Sequence, residues 1–202
     1  MFISFEGIDG SGKTTLARAL RQVLLRKGVP CLLTREPGGT PAGDRIRELL
    51  LAPDCQLPPE AEGYLFLASR AANVRDCILP ALGRGETVIS DRFSDSLIAY
   101  QACGLGGDRA FLKSLSRSAA GGLAPDVTFL LDISPGEALE RNTDPDRYSR
   151  DPEFLGRVRQ GFLDLAAEDP ERIVVIDARL TPEAKLDIIR DKLIRMGMEE
   201  LI

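Results

Sequence analysis

An α/β fold, with a five-stranded parallel sheet flanked by helices, is predicted by three features of this 202-residue chain. Short β-rich apolar runs alternate with longer helical patterns, the order that parallel strands joined by crossover helices require. Each strand-like run is continuously apolar, as expected where helices cover both faces of a sheet. The first run, Phe2-Ile3-Ser4-Phe5, leads directly into Gly7-Ile8-Asp9-Gly10-Ser11-Gly12-Lys13-Thr14. That octapeptide fits the phosphate-loop pattern G-x-x-x-x-G-K-[ST] in the strand-to-helix setting the pattern needs, and so specifies a P-loop NTPase fold.

The elements follow in order. A strand near Phe2–Glu6 ends at the phosphate loop, and a helix over Lys13–Lys27 follows it. The loop glycines let successive backbone N–H groups converge on phosphate oxygens at the positive end of that helix. Gly7, Ile8, Asp9, Gly10, Ser11, Gly12, Lys13 and Thr14 are therefore expected to bind a nucleoside triphosphate. Lys13 reaches the β- and γ-phosphates, and the Thr14 hydroxyl ligates Mg²⁺.

A second strand, Pro30–Thr34, runs into Thr34-Arg35-Glu36-Pro37-Gly38-Gly39-Thr40. Pro and paired Gly make a sharp loop at a strand's carboxyl end, where α/β folds bind ligands. Glu36 there either orients a substrate group or a metal-bound water, or caps the next helix, Gly43–Leu51; residue chemistry does not choose. A helix over Glu60–Leu82 carries Ala61, Leu65, Ala68 and Ala72 as a narrow stripe expected to pack on the sheet. Phe66, Arg70 and Asn73 recur off that stripe. A ring beside a guanidinium and an amide suits stacking on a planar base and reading its edge, while a broadly buried helix with Phe66 in its core is the competing reading.

The third strand, Thr87–Ser90, ends in Asp91-Arg92. A strand-end Asp beside the phosphate loop is a natural partner for Mg²⁺. A helix over Ser94–Cys103 follows, and Arg92, Ser96 and Tyr100 at i, i+4 and i+8 are read as one helical face bearing a phosphate fork, a hydroxyl and an aromatic wall. Leu97 and Gln101 form the adjacent face. The remaining elements are helices Arg109–Ala120, Pro135–Arg141, Asp151–Glu168 and Pro182–Met196, with strands Val127–Asp132 and Ile173–Asp177. Residues 141–151 interrupt the pattern. They are polar and Arg-dense, with Arg141, Arg147 and Arg150 in a chain of negative net charge. A solvated loop is one reading; a mobile lid that brings cations over phosphates and excludes water is the other.

Composition narrows the chemistry. The chain is 44% hydrophobic and 28% charged, with a net charge of −5, which is ordinary for a globular protein and argues against general nucleic-acid binding. It has no histidine, which excludes a His base, a His triad and His metal ligands. Cys31, Cys55, Cys77 and Cys103 are widely spread, the pattern of reduced thiols rather than disulfides or zinc. A strand that begins at residue 2 leaves no room for a signal peptide, and no apolar run reaches the ~20 residues needed to cross a bilayer. A cytoplasmic location without membrane contact is the expectation. The length suits one domain, residues 1–202.

Taken together these motifs resemble the bacterial thymidylate kinases. The segments F-E-G-I-D-G-S-G-K-T-T, T-R-E-P-G-G-T, L-F-x-A-x-R and D-R-F-x-x-S-x-x-A-Y-Q occur in the family's order, followed by D-R-Y in the Arg-rich segment and V-R-x-x-F-x-x-L-A. The resemblance covers essentially the whole chain. It implies a nucleoside monophosphate kinase domain with its lid near residues 141–151, transferring the ATP γ-phosphoryl group to dTMP with Mg²⁺, as a homodimer. By position it implies that Phe66 stacks on thymine, Arg70 addresses its edge, Arg92 clamps the acceptor phosphate and Asp9 helps orient sugar and phosphoryl groups. Tyr100 would crowd the 2′ carbon, and Glu36-Pro37, with Ser96 and Gln101, would complete the dTMP site. Glu36-Pro37 resembles the family's cis-proline loop. Some members carry an Arg in the phosphate loop where this chain has Gly10, so it resembles the type that supplies the catalytic arginine from the lid. Arg147 and Arg150 are the candidates, with Arg141 against adenine. Four positions depart from the family pattern: Leu97 replaces a small polar residue, Ser69 an Asp, Asn73 a frequent His and Ser149 an acidic lid residue. Leu97 removes a polar contact to the base edge that Gln101, one turn on, could replace. Competing readings are a deoxynucleoside kinase with Glu36 as base, and a regulatory ATPase that needs no acceptor.

Overall fold

The computed structural model describes residues 1–52, 54, 57–142, 148 and 151–199. Five strands form a parallel sheet: β1 (Phe2–Glu6), β2 (Cys31–Arg35), β3 (Thr87–Asp91), β4 (Val127–Asp132) and β5 (Ile173–Asp177), in the order β2-β3-β1-β4-β5. β1 is central and fully buried, with Phe5 level with Asp91 on one side and Phe129 on the other. That register brings the carboxyl ends of β1, β2 and β3 to one edge, where the loops after them meet.

Helices cover both faces. They are α1 (Lys13–Arg26), α2 (Pro41–Leu51), α3 (Pro59–Asn73), α4 (Leu79–Gly83), α5 (Ser94–Leu97), α6 (Arg109–Ala119), α7 (Pro135–Arg141), α8 (Pro152–Glu168) and α9 (Pro182–Arg195). Phe5, Leu20, Phe129, Phe162 and Leu193 belong to the larger apolar core. Phe2, Val74, Ile78, Val88 and Phe93 make a second core, where the Phe2 and Phe93 rings meet edge to face at 4.9 Å. Thr40, Asp108, Ser134, Asp151 and Thr181 each accept a backbone N–H at the start of α2, α6, α7, α8 and α9. α1 is preceded by Gly12 at its N-cap and has no side-chain cap, so its first N–H groups remain available to an anion.

Three expectations are corrected. The helix expected over Glu60–Leu82 is continuous, but it widens into a π-helical turn at Val74–Ile78 between α3 and α4. Its buried face is not the alanine stripe. Ala68 is exposed and Ala61, Leu65 and Ala72 are half-buried, whereas Glu62, Ser69, Arg70 and Asn73 are buried. The inward face is polar because Ser69, Arg70 and Asn73 hydrogen-bond the end of β2 and the loop after it rather than packing on an apolar layer. Finally, the helix expected over Ser94–Cys103 is α-helical only to Leu97 and then π-helical over Ile98–Gly104. α8 packs against that turn so tightly that a Cβ on Gly104 would lie 2.6 Å from the Phe154 ring.

Among the described residues no helix is long and apolar enough to cross a membrane. Cys31, Cys77 and Cys103 are free thiols; Cys55 lies outside the described residues.

Candidate active site

Two clefts open along the carboxyl edge of the sheet. One, about 1250 Å³, follows the phosphate loop from Asp9 to Thr15 and continues to Arg141, Asn142, Pro182 and Lys185. The other, about 600 Å³, lies between the Glu36-Pro37 loop, α3 and the segment from Arg92 to Gln101. Asp9 and Arg47 line both.

Asp9 links the cations of the two clefts. Its Oδ1 accepts from Lys13 Nζ at 3.0 Å and from Arg92 Nη2 at 2.6 Å. Burial pushes the Asp9 carboxyl up, but Arg92 and Lys13 outweigh it and hold the group well below the usual carboxylate range. Burial opposes the charge on Arg92 as well, and Asp9 and Tyr100 lead the groups that keep it firmly protonated.

Arg92 is not on the helical face the sequence suggests; it precedes α5, in the left-handed region at φ 72°. Among the described residues it is the one non-glycine there, a conformation that costs about 1–3 kcal/mol. The expected trio nonetheless meets, because the left-handed turn folds the side chain back over the helix. Nη1 donates to Ser96 Oγ at 3.0 Å and Gly7 O at 3.1 Å, and Nη2 also donates to Tyr100 OH at 3.1 Å. The guanidinium lies 4.9 Å from the Tyr100 ring centre. Its terminal N–H groups are thus engaged, and an incoming anion must displace Asp9 or Tyr100 to obtain a fork.

The loop after β2 is fixed by α3. The Glu36–Pro37 peptide bond is cis, as expected from sequence. Glu36 does not cap α2; Thr40 does, accepting from Gly43 N at 2.9 Å. Instead Glu36 accepts from Arg70 Nε at 2.8 Å and Asn73 Nδ2 at 3.4 Å. Burial pushes the Glu36 carboxyl up from its ordinary value, opposed by Arg70. Arg70 Nη1 donates to Ser116 Oγ at 2.8 Å, and its guanidinium lies 5.0 Å from the Phe93 ring centre. Ser69 Oγ accepts from Gly38 N at 2.9 Å, and Asn73 Oδ1 accepts from Thr34 Oγ1 at 2.8 Å. Ser69 and Asn73, two of the departures from the family pattern, therefore brace this loop.

Phe66, Leu97, Tyr100, Gln101 and Tyr148 form the wall of the second cleft, with the Phe66 and Tyr148 rings 6.3 Å apart. Gln101 is buried and, among the described residues, its Nε2 has no partner, so its amide N–H groups remain for a ligand. Tyr148 OH donates to Glu62 at 2.7 Å.

Two residues beside the phosphate loop fit a divalent cation. The Thr14 hydroxyl donates to Asp91 Oδ2, and Asp91 Oδ1 is buried without a partner among the described residues. A hydroxyl beside an orphaned carboxylate oxygen is a donor set that a hydrated Mg²⁺ satisfies. At the far end of the groove, Arg141 Nη1 and Lys185 Nζ both donate to Ala178 O, at 3.1 and 2.9 Å. Arg147, Ser149 and Arg150 lie outside the described residues. Gly10 bears on them: at φ 83°, a Cβ there would sit 2.2 Å from Ala138 O, so no side chain fits at this point of the loop.

Sequence reasoning missed Arg47. It is half-buried on α2, donates to Pro37 O at 3.3 Å and borders both clefts. Burial, then Arg35 and Arg92, lowers its pKa, the mark of a cation short of counter-charge. The available signal was a cationic residue in the first helix after a strand-end loop, shared by the exposed Arg45.

Glu6 is also absent from the expected site. It is fully buried, and burial together with Asp95 raises it from 4.5 to about 7 against hydrogen bonds from Ser96 and Phe93 and the charge of Arg92. The folded protein then holds a proton that the unfolded chain releases near its ordinary value. This contribution to stability is complete below about 4.5 and is lost as pH rises through about 7. The fall in Tm across that window should be shallower in Glu6→Gln; equal slopes would remove Glu6 as the source.

Comparison with known proteins gives a consistent assignment. A profile described as thymidylate kinase matches residues 5–189. Thymidylate kinase of Deinococcus radiodurans is 46% identical, over 93% of this chain and 92% of that protein. The corresponding protein of an Exiguobacterium species is 46% identical over 100% of this chain and 95% of its own length. The crystal structure of thymidylate kinase from Ehrlichia chaffeensis superposes with a TM-score of 0.78 at 37% identity, covering 95% of this chain and 97% of that one.

Proposed function

Since the chain belongs to the thymidylate kinase family, it transfers the ATP γ-phosphoryl group to dTMP to give dTDP and ADP in dTTP biosynthesis, and we propose how its own residues do so. The observation that carries this reading is the pair of clefts that meet at Asp9 and Arg47. ATP occupies the phosphate-loop groove, with its phosphates on the backbone of Gly7–Thr14 and Lys13, and its adenine near Arg141. dTMP occupies the other cleft. Phe66 stacks on thymine, Arg70 and the unpaired Gln101 amide address its edge, Tyr100 crowds the 2′ carbon, and Arg92 with Arg47 receives the phosphate. Glu36, Pro37 and Ser96 hold those groups in register.

The acceptor phosphate carries its own nucleophile. Its second pKa is near 6, so an oxygen is already anionic at neutral pH and a chain without histidine needs no strong base. That oxygen bonds to the γ-phosphorus as the bond to the β–γ bridging oxygen breaks, and ADP leaves with the electron pair. Catalysis is then alignment and charge neutralisation. Arg92 exchanges Asp9 for the acceptor phosphate, Asp9 turns to the sugar and phosphoryl groups, and Lys13 follows the γ-phosphate. Thr14 and Asp91 would hold Mg²⁺, which would supply neutralisation of the phosphate charge. The catalytic arginine comes from the lid near residues 141–151, as Arg147 or Arg150, a reading supported by the steric closure of position 10.

Residues 1–202 are read as one kinase domain. A homodimer and a cytoplasmic location belong to the same proposal, the first resting on the family alone and the second on the sequence pattern.

Phe66→Ala tests the base site. A base–aromatic stack is worth about 1–3 kcal/mol, so dTMP affinity measured by calorimetry should fall about tenfold or more. ATP affinity should not change. Equal losses for both nucleotides would contradict the assignment of the two clefts.

A further inference from the structure

Glu6 closes β1 yet lines neither cleft, and the phosphate loop that follows makes no use of it. It is 0% exposed. A buried carboxylate is expensive unless its hydrogen bonds are worth keeping, and an apolar residue of similar size usually serves the fold as well. Its partners lead to one place. Oε1 accepts from Phe93 N at 2.7 Å and from Ser4 Oγ at 3.3 Å, and Oε2 accepts from Ser96 Oγ. All three donors are neutral. Asp95, the nearby carboxylate, is separately matched by Arg172, whose Nη1 and Nη2 reach it at 2.7 and 3.1 Å.

The first cation beyond these donors is Arg92. Its Nη1 donates to Ser96 Oγ at 3.0 Å. A guanidinium only donates, so the Ser96 hydroxyl hydrogen is committed to Glu6, and the chain Arg92→Ser96→Glu6 has a single direction. Glu6 acts on the backbone as well. Arg92 is held in the left-handed region by Arg92 N on Phe5 O at 2.9 Å, by Ser90 Oγ on Arg92 O at 2.7 Å, and at its carboxyl flank by Phe93 N on Glu6. The same carboxyl therefore fixes both the turn that carries Arg92 and the guanidinium itself.

We propose that Glu6 is a positioning residue for acceptor binding, holding Arg92 from behind through Ser96 and the Phe93 amide so that its outer face is presented to the dTMP phosphate. The proposal rests on the reading of Arg92 as the acceptor-phosphate clamp. It assigns a function to a residue outside both substrate clefts, and it predicts an effect on one substrate only.

The test is steady-state kinetics at pH 8 with the whole chain, comparing wild type, Glu6→Gln, Arg92→Ala and the double variant. Glu6→Gln should raise the KM for dTMP about tenfold, the size of one lost charge-assisted hydrogen bond, and leave the KM for ATP unchanged. In the Arg92→Ala background it should add nothing further. A fall in kcat with both KM values unchanged would mean a merely structural role and overturn the proposal, as would the same KM rise in both backgrounds. If Arg92→Ala leaves the dTMP KM unaltered, the clamp reading itself fails, which is distinguishable from a failure confined to Glu6. Should Glu6→Gln not fold, Ser96→Ala cuts the same link with Glu6 in place. It must reproduce the dTMP-specific rise, and an unchanged KM there overturns the proposal.

Discussion

Arg92→Ala is expected to lower kcat/KM for dTMP by about 10²–10³-fold, mostly through KM, with the KM for ATP nearly constant. The size follows from what is removed: truncating one member of a buried, hydrogen-bonded charge pair costs about 2–5 kcal/mol. Arg92 is 14% exposed at its side chain and faces the second cleft from the turn after β3, while Lys13 serves the phosphate loop. Its loss also removes one of the cations that hold Asp9, so Lys13, 3.0 Å from the Asp9 carboxylate, should be drawn more tightly to it. Steady-state assays varying each substrate in turn separate the effects. A larger change for ATP than for dTMP would move Arg92 to the donor side and undo the division of labour between the clefts.

Arg147→Ala is expected to have the largest effect on the chemical step. An arginine inserted beside a transferring phosphoryl group contributes about 10³–10⁵ in rate. That corresponds to about 4–7 kcal/mol of transition-state stabilisation. The expected signature is a lower kcat with substrate KM values within a few-fold of wild type, since the contact matters most as charge develops. A change confined to the KM for ATP would assign Arg147 to nucleotide binding, and the same assay on Arg150→Ala would then show whether the role passes to its neighbour. The argument for a lid source is steric: Ala138 O blocks any side chain at Gly10, so the phosphate loop has no room for its own arginine.

Much of the fold was legible because parallel strands buried on both faces leave continuous apolar runs. All five strands, including β1, β4 and β5 with the expected bounds, appear where those runs are. The phosphate loop was legible because its chemistry requires fixed spacing. What was not legible depends on long-range packing. The face of α3 was inverted because a periodicity argument assumes that the buried face is apolar, and here it is lined by Glu62, Ser69, Arg70 and Asn73. The trio of Arg92, Ser96 and Tyr100 was identified for the wrong reason: a left-handed turn, not helical spacing, brings the guanidinium back onto Ser96. Glu6 carries no local signal, and the signal of Arg47 is shared with the exposed Arg45 two residues earlier. Glu6 matters because the sheet register sets Phe5 beside Asp91, and Arg47 because it sets Arg35 beside the same Asp91, which brings the loops after β1, β2 and β3 together.

The measurement that tests the account most directly is ADP release from the purified protein with Mg-ATP, using dTMP, dUMP, UMP, dCMP, thymidine or no acceptor. The account predicts turnover strongest with dTMP, with dUMP second, because Gln101 and Arg70 still read the pyrimidine edge although Leu97 offers no polar contact. Turnover with thymidine alone, or ADP release that ignores the acceptor, would contradict a phosphate-accepting second cleft.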